Sequence, residues 1–166
     1  MINYIIISCI WIALYYNNVM ERNDPRLTHA RTCVYNVNYH IIWGTKYRNG
    51  VLNGEIEKDL KEILLSVAKD HGFEITHLEV GLDDHVHMLA RANPKLAIST
   101  IVKDLKGISA YQLFKRHPEL KSRYWKANDR HLWSPSYFVE TIGASNAQAV
   151  VRYIDDQRLK EKDLPK

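Results

Sequence analysis

The chain has 166 residues, 46% hydrophobic and 25% charged, a globular composition that excludes a fibre and argues against disorder. Lys and Arg outnumber Asp and Glu by 23 to 19, a mild surplus that permits a polyanionic partner without requiring one. Two cysteines, Cys9 and Cys33, make neither a disulfide framework nor a paired metal knuckle, which favours a reducing compartment.

No charge occurs from Met1 to Met20, and Ile2 to Tyr16 is apolar apart from Asn3 and Ser8. The run is shorter than the roughly 20 residues a spanning helix needs. It also lacks the positive start and small-residue cleavage site of a secretory signal. Three readings stay open: translation that starts at Met20, which comes first; a membrane anchor; or an extra strand or helix packed on the body. Residues 1–26 are set apart as an atypical apolar extension and residues 27–166 are taken as the functional domain. A membrane association is not expected, and a cytoplasmic location is.

Thr32 to Gly44 alternates, with Cys33, Tyr35, Val37, Tyr39 and Ile41 on one face and Asn36, Asn38 and His40 on the other. That period of two reads as a half-solvated strand. After a polar loop, Ile56, Leu60, Ile63, Leu64 and Val67 recur at helical spacing, and Gly72 ends the helix. Phe73–Val80 and His85–Ala92 read as a strand pair across the turn cluster Gly81 to Asp84. Pro94 opens a second helix, which runs to about Arg116 with Ile101, Val102, Leu105 and Leu113 buried. A basic, aromatic loop leads to a strand at Leu132–Val139. A last helix, capped by Ser145 or Asn146, turns Val150, Ile154 and Leu159 inward. The order β-α-β-β-α-β-α predicts an α+β, ferredoxin-like (RRM-like) antiparallel sheet with helices on one face, plus a C-terminal helix carrying Tyr153.

Three features carry chemistry. His85 and His87 are two apart on a strand, so both imidazoles project from one face, roughly 6.6 to 7 Å apart along the chain. They can converge on one metal ion, with Asp84 placed to orient an imidazole from behind, although such a pair also arises on a polar strand face with no metal. Tyr153 and Gln157 are four apart on the last helix and stack on one face, where Tyr153 could equally be a packing residue. Between Lys103 and Arg130 stand eight Lys or Arg against three Asp or Glu, interleaved with Tyr111, Phe114, Tyr124 and Trp125. Cations neutralise phosphates and aromatic rings stack unpaired bases, so Lys103, Lys106, Lys115, Arg116, Arg123, Lys126 and Arg130 are candidate DNA contacts; a solvated helix and loop is the other reading. His40, His77 and His131 have no helpful spacing and read as ordinary sheet or surface histidines. No phosphate loop surrounds Lys106-Gly107 and no nucleophile elbow surrounds Ser134 or Ser136, which excludes nucleotide hydrolysis and serine hydrolysis and leaves no place for a nucleotide cofactor.

In chain order these features are Asp84-His85-Val86-His87-Met88-Leu89, then Ile101 to Ser109, then Leu132-Trp133-Ser134-Pro135-Ser136-Tyr137-Phe138-Val139-Glu140-Thr141-Ile142-Gly143, then Arg152-Tyr153-Ile154-Asp155-Asp156-Gln157. From about Leu27 to Gln157 the chain resembles the small single-tyrosine transposases of insertion sequences that move as single-stranded DNA, and their REP-associated relatives, within the HUH (His-hydrophobic-His) nuclease superfamily. Many relatives have proline where Asp83 stands. The resemblance implies that His85, His87 and Gln157 bind a divalent cation, Mg²⁺ or Mn²⁺, and that Tyr153 attacks a DNA phosphodiester to leave a 5′-phosphotyrosine and a free 3′-OH. It further implies a homodimer with composite active sites that cuts and rejoins single-stranded DNA beside hairpins at the element's ends. Tyrosine is a poor nucleophile at neutral pH, and a metal on the phosphate offsets that by stabilising transition-state charge. The competing readings are a non-catalytic nucleic-acid-binding module on the same sheet and another HUH nickase of the replication-initiator or relaxase type.

Overall fold

The computed structural model describes residues 26–155 apart from 82–83, 127–128, 144–145 and 147–148. The chain divides into two compact units, 1–36 and 37–166. In the first, β1 (Thr28–His29) and β2 (Val34–Tyr35) pair as a short antiparallel hairpin.

In the second unit, β3 (Asn38–Gly44), β4 (Glu74–Val80), β5 (His85–Arg91) and β6 (Phe138–Ile142) form an antiparallel sheet in the order β4-β5-β3-β6. The helices are α1 (Gly54–Asp70), α2 (Ile98–Arg116) and the short α3 (Leu120–Tyr124), followed by a helical segment at 149–155. This is the expected α+β arrangement. Strand periodicity splits the sheet cleanly. Ile41 and Trp43 of β3 and Val86, Met88 and Ala90 of β5 join Leu60, Ile63 and Leu64 of α1 and Ile101, Val102 and Leu105 of α2 in one core. Each Val, Leu, Ile or Met side chain among them contributes about 1.5–3 kcal/mol when fully buried. The other face takes the alternate residues: His40 and Ile42, His85, His87 and Leu89, Phe138 and Glu140, whose cross-strand pairs are Ile42 with His87 and with Phe138, and His40 with Leu89 and with Glu140.

Four boundaries differ from expectation. The first strand does not run unbroken from Thr32: Val34–Tyr35 belongs to the hairpin, and the sheet strand starts at Asn38. The last strand starts at Phe138, because Pro135 has no N–H for a ladder; the preceding segment meets the end of β3 only through an isolated bridge from Trp133 to Thr45. Helix α2 starts at Ile98, after a turn in which Asn93 Oδ1 accepts from the Lys95 N–H. Helix α3 lies inside the segment read as a loop, where Leu120 and Tyr124 are both buried in the core. Among the described residues, no helix is long and apolar enough to cross a membrane.

Candidate active site on the open face of the sheet

The turn into β5 needs unusual backbone. Gly81 and Asp84 both have positive φ, 109° and 58°, and at Gly81 a Cβ would lie 2.8 Å from the Leu52 carbonyl oxygen. Asp84 is fully enclosed. Its Oδ1 accepts from the Leu52 N–H at 2.9 Å, its Oδ2 accepts from the Thr45 hydroxyl at 3.1 Å, and its carbonyl accepts from the Thr45 N–H at 2.9 Å. This corrects the expectation that Asp84 orients an imidazole. Thr45 and Leu52 are buried too, and their donors need an acceptor that water cannot supply. Asp84→Ala strands both donors and is expected to cost about 3 kcal/mol in urea unfolding. Asp84→Asn keeps one acceptor and is expected to cost less than half of that; a loss below about 1 kcal/mol for the alanine variant contradicts this account.

With its entry fixed, β5 presents His85 and His87 side by side, ring centroids 6.4 Å apart. Gly44 lies directly across from His85, and the His85 ring occupies the space a Cβ would take, its Nε2 only 2.9 Å from that position. His87 is 7% exposed, and its pKa is lowered to about 4, first by burial and then by positive charge at His40 and His85. The imidazole is therefore neutral at physiological pH, and a neutral imidazole is the form that ligates a metal. Its Nδ1 is enclosed and has no hydrogen-bond partner among the described residues. Two adjacent imidazoles, one held neutral, fit a divalent cation; Gln157, the expected third ligand, lies outside the described residues.

Tyr153 stands in the segment at 149–155, half-exposed at 52%. Its neighbour Ile154 is completely buried against Leu89 and Ile142, with Val150 and Val151 beside them. Leu89 follows His87 by two residues on the same face, so the tyrosine's helix rests on the face that carries the histidine pair. Asp155 from this helix lies 3.2 Å from His77 Nε2, and His77, Glu79 and Asp155 bring one ligand atom each within 4.8 Å of one another. Glu79 is also 3.6 Å from the Lys61 ammonium. Spacing alone reads His77 as an ordinary sheet residue; the signal for more is the parity it shares with Glu79, which pairs with His87 across the strands.

His40 was likewise set aside, and it is buried beside the pair. Its Nδ1 donates to Glu140 Oε1 at 3.0 Å, its ring centroid is 6.0 Å from that of His87, and its Nε2 is enclosed without a partner among the described residues. A pocket of about 540 Å³ opens next to His85, lined among others by Lys46, Arg48, Ser134, Ser136 and Phe138.

The basic residues divide by what they touch. Lys106 Nζ donates to the carbonyls of Ser134 at 2.6 Å, Ser136 at 3.1 Å and Pro135 at 3.4 Å, and burial lowers its pKa. Its ammonium braces the pocket wall. Arg116 pairs with Asp59 and Glu62. Arg123 donates to the Asn49 carbonyl, Lys126 lies over the Tyr47 ring, and Arg130 and Lys121 both lie over the Trp125 ring, at 5.1 and 5.0 Å from its centroid. Lys103 and Lys115 are exposed on α2.

Residues 33–157 match the family model described as IS200-like transposase. The ISDra2 transposase TnpA of Deinococcus radiodurans is 43% identical over 132 residues, 80% of this chain and 91% of that protein. The IS200 transposase of Salmonella typhimurium is 31% identical over 140 residues, 84% and 87% of the two chains. A crystal structure of a putative transposase from Deinococcus radiodurans superposes with a TM-score of 0.64 at 41% identity, covering 78% of this chain and 97% of the other. A REP-associated tyrosine transposase, solved bound to a REP hairpin, shares the fold at a TM-score of 0.56 and 16% identity, over 81% and 73% of the chains. A sheet that sets a His-hydrophobic-His pair beneath a tyrosine-bearing helix, matched along three quarters of its sequence, places this chain in the IS200-like family of single-tyrosine HUH transposases.

Proposed function

We propose that the protein cuts and rejoins single-stranded DNA at hairpin-marked ends through a 5′-phosphotyrosine at Tyr153. The observation that carries this reading is the docking of Ile154 on Leu89, which puts the half-exposed Tyr153 over the same sheet face as His85 and His87. His85, His87 and Gln157 would hold a divalent ion, Mg²⁺ or Mn²⁺. When bound, that ion supplies positive charge to the scissile phosphate as its transition state forms. His87 contributes a neutral donor without first losing a proton. The Tyr153 hydroxyl attacks phosphorus, the bond to the 3′ oxygen breaks, and that oxygen leaves as a free 3′-OH. The phosphotyrosine keeps the energy of the broken phosphodiester, so the reverse attack by a 3′-OH reseals a strand without ATP.

The hairpin expectation is supported by the REP-associated neighbour, whose structure holds a REP hairpin. On this reading the exposed cations Lys103, Lys115, Arg123, Lys126 and Arg130, with Trp125 and Tyr47, face the DNA. The working unit is a homodimer acting in the cytoplasm, and residues 27–166 form its catalytic domain. The test is incubation with an end-labelled single strand carrying a hairpin and its flanking junction, with Mn²⁺ or with EDTA. A labelled band that survives detergent in Mn²⁺ and is missing in EDTA is expected. No such band in either condition, or an equal band in both, overturns the proposal.

A further inference from the structure

The stretch from Ile101 to Ser109 carries a glycine with no evident structural duty. Gly107 sits in the middle of α2, where glycine weakens a helix relative to alanine. It is not among the glycines with positive φ, and a Cβ placed on it would meet nothing within 4 Å among the described residues. Neither backbone conformation nor packing within the chain therefore asks for glycine here. What the missing side chain provides is a notch on the helix surface. Lys103 stands one turn before it and Tyr111 one turn after it on the same row, both exposed, the tyrosine at 70%. This row lies off the stripe of Ile101, Leu105 and Leu113 that α2 turns to the core.

The notch opens into a groove of about 630 Å³, a size within the range of small-ligand pockets. Its buried lining residues include Val102, Leu132 and Trp133, and its exposed ones include Lys103, Tyr111 and Arg130; no Asp or Glu lines it. An apolar partner alone would gain nothing from the cations, and a free phosphate would gain nothing from the apolar and aromatic wall. A nucleobase on its sugar-phosphate chain uses both, the ring against the wall and the phosphates against Lys103 and Arg130. In a duplex the faces of the bases are covered by their neighbours, so the base that enters must be unpaired.

The groove also adjoins the pocket beside His85. Ser134 and Tyr137 line both, so the 134–137 loop is the wall between them. Lys106, the residue before Gly107, holds that wall through the carbonyls of Ser134 and Ser136. We propose that the groove over Gly107 is a slot for one unpaired nucleobase of the strand whose phosphate enters the His85 pocket, only a few nucleotides from the point of cleavage. A base seated there fixes the register of the strand, which makes the slot a determinant of where the cut falls. Its place in the reaction rests on the single-strand cleavage reading, whereas the binding itself needs neither cleavage nor metal.

The test measures binding in EDTA by fluorescence anisotropy, with an oligothymidylate of about 15 nucleotides and a duplex of the same length as probes. Tyr111→Ala and Gly107→Leu are each expected to weaken single-strand binding by about tenfold and to leave duplex binding within about twofold. Gly107→Ala is expected to raise the urea midpoint, because alanine favours the helix, and yet to weaken single-strand binding by about threefold. A loss of binding in a more stable protein cannot come from misfolding, so this variant decides the matter should Gly107→Leu not fold. A strand carrying one 5-iododeoxyuridine is expected to cross-link on irradiation to Tyr111, Trp133 or Tyr137. Single-strand affinity unchanged in Tyr111→Ala and Gly107→Ala, equal losses on single strand and duplex, or cross-links confined to residues outside the groove each overturn the slot. If the variants behave as expected while the wild type forms no detergent-stable band in Mn²⁺, the phosphotyrosine reading fails and the slot stands. If the band forms and the variants bind as the wild type does, the slot alone fails.

Discussion

Tyr153→Phe is expected to abolish the detergent-stable DNA–protein band and to slow strand rejoining by at least about a thousandfold, while DNA binding stays within a few-fold of wild type. Only a hydroxyl is removed, from a ring that is half in solvent, so the loss of stability is expected to stay below about 0.5 kcal/mol. The helix keeps its anchor through Ile154, which is completely enclosed. Chemistry and docking are thereby separated within one turn of helix. A band of undiminished intensity in the phenylalanine variant assigns the nucleophile elsewhere. Gel analysis of labelled strands, with anisotropy on the same DNA, checks both halves.

The second large effect concerns pH in the metal-free protein. His87 has its pKa pushed down to about 4 by burial and by the positive charge that His40 and His85 can carry, against about 6.5 in an unfolded chain. As pH falls through 6.5 the unfolded chain takes up a proton that the folded protein refuses, so folding is progressively opposed. The contribution of neutral His87 is fully present above about pH 6.5 and is lost toward pH 4, where the loss reaches about 3 kcal/mol. Other groups titrate in the same window, so the measurement is a difference. In urea midpoints taken in EDTA from pH 7.5 to 4.5, the wild type is expected to lose stability relative to His87→Phe as pH falls. Parallel curves exclude a buried neutral His87.

The strands, the two long helices and the separation of the two sheet faces could be read from period alone, because each is enforced by many side chains at once. Ile41, Trp43, Val86 and Met88 alternate with Ile42, His85 and His87, and no other register buries them. Single-residue chemistry was harder to read. The role of Asp84 was misjudged because its proximity to His85 in sequence says nothing of Thr45 and Leu52, whose donors claim it from over thirty residues away. His40 reads as an ordinary strand histidine because spacing along one strand cannot reveal a neighbour on another, and its partners arrive from β5 and β6. Lys106 reads in sequence as one of the candidate DNA contacts, and nothing in its spacing reveals the three carbonyls of the 134–136 loop that close around its ammonium. Three of the boundary differences lie where a turn or a proline delays the start of an element past the start of its hydrophobic pattern, and the fourth is a five-residue helix too short to show a period.

The Asp84 links also change what kind of loop joins β3 to α1. Connections of this sort usually absorb insertions, since nothing depends on their length. Residues 45–52 are instead fastened at both ends to the carboxylate that sets the first residue of β5. An added residue there would be transmitted straight to His85. Length variation among sequences built this way is therefore expected to collect elsewhere, and this eight-residue span is expected to keep its size.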